Sequence, residues 1–142
     1  MIDILIRAKG DLKHHTVEDT ALALGAVLSE ALGDRNGIRR FFSDYAPIYE
    51  SLALVSVDLV KRPYFVPTDL EFRLNYIEDL AREDLQHFFR SFCTTISCTT
   101  HIHLIYGSNK AEACFKALAL ALREAVALDE RRSTTPSSKG SM

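Results

Sequence analysis

Hydrophobic residues follow two different periods along this chain, and these periods predict its strands and helices. Apolar and polar residues alternate over residues 2–8, 51–59 and 99–106, which predicts strands, and residues 65–74 keep an extended character. Apolar residues recur every three to four positions over residues 16–32, 78–92 and 111–128, which predicts helices. Thr16 is the predicted N-cap of the first helix, and Gly33 is predicted to end it. This order of elements predicts an α+β fold with helices layered on one face of a sheet.

The composition is typical of one globular domain. The 142 residues are 47% hydrophobic and 25% charged, which is enough for a single well-formed core. A formal net charge of −2 gives no reason to expect a nucleic-acid partner. No apolar run reaches the ~18 residues that cross a membrane, and the start of the chain lacks a signal-peptide pattern. We therefore expect a cytoplasmic protein whose thiols, Cys93, Cys98 and Cys114, are reduced and buried, with an irregular polar tail over residues 129–142.

The densest group of chemically active side chains lies at the start of the first predicted helix. His14 and Glu18 are four residues apart and share one helix face, while His15 points about a quarter turn away. Two imidazoles and a carboxylate suit Mn, Fe, Zn or Ni, and the residue types do not choose among these metals. The alternative is a polar helix start in which Glu18 is stabilised by the helix dipole. His87 is a lone histidine near the apolar face of the second predicted helix, where such a residue is usually structural and less often a ligand. Glu112 opens the third predicted helix, where the helix dipole stabilises a carboxylate.

Basic residues are scattered along the chain and also have two interpretations. Each can be a solvated charge, and Lys116, four residues after Glu112, suits an ion pair along one helix. Together they could instead hold a phosphate, because guanidinium, ammonium and backbone N–H groups are the donors that a dianion needs. The residues concerned are Arg39, Arg40, Lys61, Arg62 and Lys116, together with the turn Ser137-Ser138-Lys139-Gly140.

Several segments, taken in order, resemble the imidazoleglycerol-phosphate dehydratase family of histidine biosynthesis. The most specific are His14-His15-Thr16-Val17-Glu18-Asp19 and Pro136-Ser137-Ser138-Lys139-Gly140. Further matches are Gly37-Ile38-Arg39-Arg40-Phe41, Arg62-Pro63, His87-Phe88-Phe89, Gly107-Ser108-Asn109 and Glu112-Ala113 with Phe115-Lys116-Ala117.

The resemblance implies a fold of two duplicated half-domains, each a four-stranded sheet with helices packed on one face. Residues 1–142 would form one such domain: residues 1–40 end an incomplete first half-unit, residues 41–128 form the second, and residues 129–142 form a substrate-binding tail. The implied reaction is dehydration of imidazole-glycerol phosphate to imidazole-acetol phosphate. It also implies two Mn²⁺ ions at each active site, between subunits of a homo-oligomer built from trimers into 24-subunit particles.

The resemblance also implies a role for each candidate residue. The implied metal ligands are His14, His15, Glu18, His87 and Glu112. His15 and Glu18 would be catalytic, and with His14 they would also contact the substrate. The implied ligands of the substrate phosphate are Arg40, Arg62, Lys116, Ser137, Ser138 and Lys139.

The sequence departs from the family in three places. The family's N-terminal segment, with a catalytic Glu and a metal-binding His, has no counterpart, which would leave apolar faces uncovered. The second metal motif, over residues 107–112, is about three residues short and lacks both of its His residues. Tyr49 stands where the family has an acidic residue.

These departures leave three hypotheses. The whole protein has residues that this sequence lacks, and it is a working dehydratase. Alternatively, it is a catalytically impaired member that acts as a metal-binding or assembly subunit. The third hypothesis is a protein that binds another phosphorylated ligand with the same basic residues.

Overall fold

The computed structural model describes residues 3–70, 75–77, 80–107, 111–131, 134 and 137, and it contains three helices and six strands in these ranges. The helices are α1 (Lys13–Leu32), α2 (Arg82–Ile96) and α3 (Ala111–Ala125). The strands are β1 (Phe41–Ile48), β2 (Ser51–Asp58), β3 (Tyr64–Thr68), β4 (Tyr76–Ile77), β5 (Leu80–Ala81) and β6 (Thr99–Tyr106).

Four of the strands form one sheet, in the order β1-β2-β6-β3. The β1–β2 and β2–β6 pairs are antiparallel, and β3 pairs with β6 in parallel. Helix α3 packs on β1 and β2, α2 packs on β3, and α1 packs on α2. The apolar residues that alternate along β2 and β6, such as Val55 and Ile102, point into this helical layer and are fully buried. The predicted α+β architecture, a four-stranded sheet with helices on one face, is confirmed.

Helix α1 is confirmed, but its predicted N-cap is wrong. The helix begins three residues earlier, and the Thr16 hydroxyl donates to the Leu12 carbonyl (3.0 Å) from inside the first turn. Gly33 ends the helix as predicted, with φ +51° and its N–H donating to the Glu30 carbonyl (3.1 Å). Gly25 is buried where α1 crosses α2, so the two helices approach each other closely at this position.

The strand predicted over residues 2–8 is wrong for the part that the structure describes. Residues 3–10 form no strand, because no described strand lies beside them to complete a ladder of hydrogen bonds. Leu5 is 80% exposed, and Val27 on the adjoining face of α1 is 63% exposed. An open cavity of about 500 Å³ separates this segment from α1. Apolar side chains of this segment and of the adjoining face of α1 are therefore exposed in the described structure.

Other boundaries also differ from the prediction. Strand β1 was not predicted, because its outward positions Phe41 and Tyr45 are aromatic and hide the alternation. The extended character predicted over 65–74 ends at Thr68, because the next residue, Asp69, has φ +51°. The predicted helix over 78–92 begins at residue 82, and residues 71–74 and 78–79 lie outside the described part.

The thiols and one arginine are buried among these elements. Cys93, Cys98 and Cys114 are buried and free of disulfides, as predicted. Burial raises the pKa of the Cys114 thiol to about 12.

Arg35, 1% exposed, reaches from the end of α1 to the last turn of α2 and donates to the carbonyls of Ser97 (2.7 Å) and Ile96. A guanidinium that satisfies helix C-terminal carbonyls complements the helix dipole.

Candidate functional site

The first turns of all three helices meet at one end of the helical layer. They border an open apolar pocket of about 180 Å³, which is lined by Thr16, Val17 and Thr20 of α1, Leu80, Leu85 and Phe88, and Phe115 of α3. The Phe88 and Phe115 rings meet edge to face, with centroids 5.3 Å apart. This aromatic contact brings the start of α3 beside that of α2. The fold therefore places the three helix starts that carry the predicted metal ligands at one end of the molecule.

The histidine pair lies on the surface at this end. The His14 and His15 rings make an edge-to-face contact with centroids 4.2 Å apart, and both residues are exposed. His15 Nδ1 lies 3.7 Å from an Asp11 carboxylate oxygen. The Leu12 N–H donates to the same carboxylate (2.8 Å) and, with the neighbouring His15, lowers the pKa of Asp11. Glu18, one turn further on, is half-buried.

The other two predicted ligands lie on α2 and α3. His87 is exposed on the side of α2 opposite the buried Leu85 and Phe89. Glu112 opens α3, and one of its carboxylate oxygens accepts from Lys116 Nζ (2.9 Å), in the ion pair expected for residues four apart. We call His14, His15, Glu18, His87, Glu112 and Lys116 the helix-start group.

The helix-start group has the right donors for a metal but does not form a closed site within one chain. Imidazole nitrogens and carboxylate oxygens are ligands that Mn²⁺ accepts. Within the described ranges, however, no three His, Cys, Asp or Glu side chains come close enough together to hold an ion. The described residues of one chain therefore bring candidate donors to the same end of the fold without assembling them around one point.

Two of the predicted phosphate ligands lie at the opposite end of the fold. Arg40 immediately precedes β1, and Arg62 lies just before β3. The register places Phe41, Asp58, Thr99 and Tyr64 side by side in one row across the sheet. Three strand spacings of ~4.8 Å make this row about 14 Å wide. Two arginine side chains can approach a common anion across that distance, and we call Arg40 and Arg62 the arginine end.

Arg40 is held firmly at this end. Its Nε and one terminal nitrogen donate to the two Asp58 carboxylate oxygens, at 2.7 and 2.9 Å, and this pairing raises the pKa of Arg40. The Arg62 side chain is exposed, and its carbonyl accepts from the Thr99 hydroxyl (2.8 Å). Asp58 is not among the site residues predicted from the sequence. The sequence feature that could have pointed to Asp58 is an acidic residue near the end of a predicted strand, four positions before Arg62.

The beginning of the predicted substrate-binding tail runs along the segment that leads into Arg40. The Asp129 N–H donates to the Gly37 carbonyl (2.8 Å), and the Gly37 N–H donates to the Thr134 carbonyl (3.3 Å). Ser137 is half-buried. Ser138 and Lys139, the other two predicted phosphate ligands of the tail, lie outside the described residues.

The length of helix α3 gives the distance between the helix-start group and the arginine end. Glu112 lies at its first turn, whereas the carbonyl of its last residue, Ala125, accepts from the Arg40 N–H (2.9 Å). Thirteen residues at ~1.5 Å each put these two points about 20 Å apart. Lys116, a predicted phosphate ligand, lies at the Glu112 end. One chain therefore does not bring the predicted metal ligands and the two arginines to a common site.

Tyr49 lies on the hairpin between β1 and β2, at the same end of the sheet as the β6–α3 connection. It is 89% exposed, with φ +48°.

Comparison with known proteins gives one consistent result. The family model described as imidazoleglycerol-phosphate dehydratase matches residues 1–122. Dehydratases of this name from Zymomonas mobilis and Clostridium botulinum are 46% and 41% identical over the whole chain, which covers 76% and 75% of their lengths. The crystal structure of the Staphylococcus aureus dehydratase superposes with a TM-score of 0.79 at 32% identity, over 85% of this chain and 72% of that one. The Pyrococcus furiosus structure gives the same TM-score and identity over 94% and 74%.

The α+β fold, together with these matches, places the chain among proteins of the dehydratase type. The relatives are named as dehydratases, enzymes that remove water from a substrate. The chain belongs to the imidazoleglycerol-phosphate dehydratase family of histidine biosynthesis. None of the helices in the described residues is long and apolar enough to cross a membrane.

Proposed function

We propose that this chain is a cytoplasmic, Mn²⁺-dependent enzyme that dehydrates imidazole-glycerol phosphate to imidazole-acetol phosphate and works as a homo-oligomer. Family membership supports the reaction. The observation that carries the rest of the proposal is the separation of about 20 Å between the helix-start group and the arginine end. A substrate with a ring and a phosphate joined through three carbons is less than about 10 Å long. Bridging both groups of one chain would require the side chains at both ends to extend fully toward it, whereas the Arg40 guanidinium is held on Asp58.

The proposal is therefore that each active site combines the helix-start group of one copy with the arginine end of another. Closed cyclic assemblies repeat one such contact at every subunit, so all copies gain a complete site together. The same proposal explains why the described residues of one chain do not assemble the candidate donors around one point, because a neighbouring copy can supply further donors. Trimers that assemble into 24-subunit particles are the arrangement we propose for these contacts.

The proposed roles follow from the chemistry of each group. His14, His15, Glu18, His87 and Glu112 would hold Mn²⁺, which acts as a Lewis acid toward the imidazole ring. The dehydration removes a proton from carbon and delivers one to the leaving hydroxyl. We assign His15 and Glu18 to the catalytic centre, because an imidazole and a carboxylate can each hold a proton there. The phosphate would be bound by Arg40, Arg62, Lys116, Ser137, Ser138 and Lys139 through charge-assisted hydrogen bonds.

His15→Ala tests the ligand assignment. We expect it to abolish turnover, lower the bound Mn²⁺ per chain and shift the particles toward smaller sizes. Metal analysis, light scattering and a turnover assay measure these three quantities. His101→Ala is the matched control, because His101 is also exposed but lies on β6, outside the helix-start group. Unchanged Mn²⁺ content and particle size in His15→Ala would contradict the assignment.

The second candidate is a catalytically impaired family member that acts as a metal-binding or assembly subunit. The shortened second motif over residues 107–112, without its two His residues, favours this candidate. The same measurements on the unaltered protein separate the two. Turnover with Mn²⁺ supports the enzyme, whereas Mn²⁺ binding and particle formation without turnover support the impaired subunit.

A further inference from the structure

We propose that Asp58 is a positioning residue that fixes the direction of the Arg40 guanidinium for the substrate phosphate. This inference rests on the proposed function and deepens it. It assigns a role to a residue that would not contact the substrate itself. The arginine end would then be a preformed phosphate site in which one carboxylate sets the geometry.

The backbone of Arg40 is fixed without help from its side chain. Its N–H donates to the Ala125 carbonyl (2.9 Å) at the end of α3, and its carbonyl accepts from the Leu59 N–H (3.0 Å) after β2. The residue has φ +80°, a left-handed conformation that a side chain other than glycine adopts at a cost. Such strain persists where the surrounding structure determines the backbone. These main-chain bonds anchor the start of β1 through the backbone of Arg40.

The Asp58 carboxylate fixes the direction of the Arg40 side chain. The carboxylate accepts two hydrogen bonds from the guanidinium, one on each oxygen, and the Arg40 side chain is only 18% exposed. A bidentate pair fixes the plane of the guanidinium as well as its position. It takes up two of the five N–H donors that an arginine carries. Ordering this side chain before the ligand arrives lowers the entropy lost when the phosphate binds.

A purely structural role for the pair makes a different prediction. The main-chain ladder already joins the ends of β1 and β2, with Phe41 directly opposite Asp58. The side-chain pair therefore adds little to the register of the strands. If the pair served stability alone, its loss would lower the melting temperature and leave phosphate affinity unchanged.

The test compares Asp58→Asn with the unaltered protein. Asparagine keeps the shape of the side chain but loses the charge and one of the two acceptor oxygens. We expect the dissociation constant for inorganic phosphate, measured by calorimetry, to rise about tenfold. The KM for imidazole-glycerol phosphate should rise more than kcat falls. Asp58→Glu keeps the charge but displaces it by one methylene. Its dissociation constant for phosphate and its KM should lie between those of the unaltered protein and those of Asp58→Asn.

Two further variants isolate the effect. Glu124→Gln is the matched control, because Glu124 accepts from the neighbouring Arg39 (2.5 Å), which has no assigned role in phosphate binding. It should leave phosphate affinity unchanged. In an Arg40→Ala background, Asp58→Asn should have no additional effect on phosphate affinity, because Asp58 acts through Arg40.

Each outcome bears on the inference. If Arg40→Ala weakens phosphate binding while folded Asp58→Asn and Asp58→Glu bind as tightly as the unaltered protein, or more tightly, the positioning role is wrong and the proposed function stands. The positioning role would also be wrong if Asp58→Asn weakened phosphate binding as much in the Arg40→Ala background as in the unaltered protein, because Asp58 would then not act through Arg40. If the unaltered protein binds neither phosphate nor substrate, the proposed function fails and the inference fails with it.

Discussion

Gly25→Ala perturbs the closest contact between α1 and α2, and its cost can be worked out from the structure. A methyl group at this position would lie 2.9 Å from the Phe92 carbonyl oxygen, 2.9 Å from Thr95 Cβ and 3.0 Å from the Ile96 nitrogen. Two of these three atoms belong to the backbone of α2, so no side-chain rotation relieves them. The two helices must move apart by several tenths of an ångström.

The change in the free energy of unfolding is the difference between a packing cost and a gain in helix propensity. Overpacking of this kind costs ~1–3 kcal/mol. Alanine in place of glycine inside a helix recovers ~1 kcal/mol of helix propensity. We expect the free energy of unfolding to fall by about 1 kcal/mol, since the backbone contacts place the packing cost at about 2 kcal/mol.

Urea unfolding followed by circular dichroism measures this change. Ala26→Gly is the matched control, because Ala26 is the next residue of α1 and is exposed. It should reduce stability by ~1 kcal/mol through propensity alone. If Gly25→Ala were instead more stable than the unaltered protein by that amount, the close packing of α1 on α2 would be wrong.

Three further predictions concern buried groups. Arg35→Met should lower the free energy of unfolding by about 2 kcal/mol, because two bonds to carbonyls at the end of α2 are lost while a costly buried charge is removed; an unchanged denaturation midpoint would contradict this. Cys114 keeps its proton in the folded chain to about pH 12, whereas an unfolded thiol loses it near pH 9.0. Stability should therefore fall as pH rises across that window, by up to ~1.4 kcal/mol per pH unit, and Cys114→Ala should show a shallower pH dependence in the same unfolding assay. Gly107→Ala should lower the melting temperature by several degrees, because its methyl would lie 2.5 Å from Ser51 Cα at φ +86°. A melting curve that matches the unaltered protein would refute it.

Much of the fold could be predicted from the sequence, because local patterns specify it. The alternation along Thr99–Tyr106 gave both ends of β6, since inward residues are buried and outward residues are polar or exposed. The strand expected over residues 2–8 failed because alternation is necessary for a strand but not sufficient. A ladder also needs a neighbouring strand, and the described residues provide none there.

The candidate site was less predictable, because its geometry depends on how segments that are distant in the sequence pack together. The motif of His14, His15 and Glu18 identified a candidate metal group, but it carried no information about its distance from Arg40. That distance is set by the length and direction of α3. The pairing of Arg40 with Asp58 was equally hidden, because the register of β1 on β2 brings together residues 18 apart in the sequence.

The central claim is that each active site joins the helix-start group of one copy to the arginine end of another. The most direct test mixes two variants, Lys116→Ala from the helix-start group and Arg62→Ala from the arginine end, each expected to be inactive alone and neither a predicted metal ligand. After unfolding and refolding together, random assembly gives roughly a quarter of the sites an intact group from both copies. The account predicts recovery of about that fraction of the activity of the unaltered protein. Co-assembled particles that stay as inactive as either variant alone would show that both groups must come from one chain, and would contradict the account.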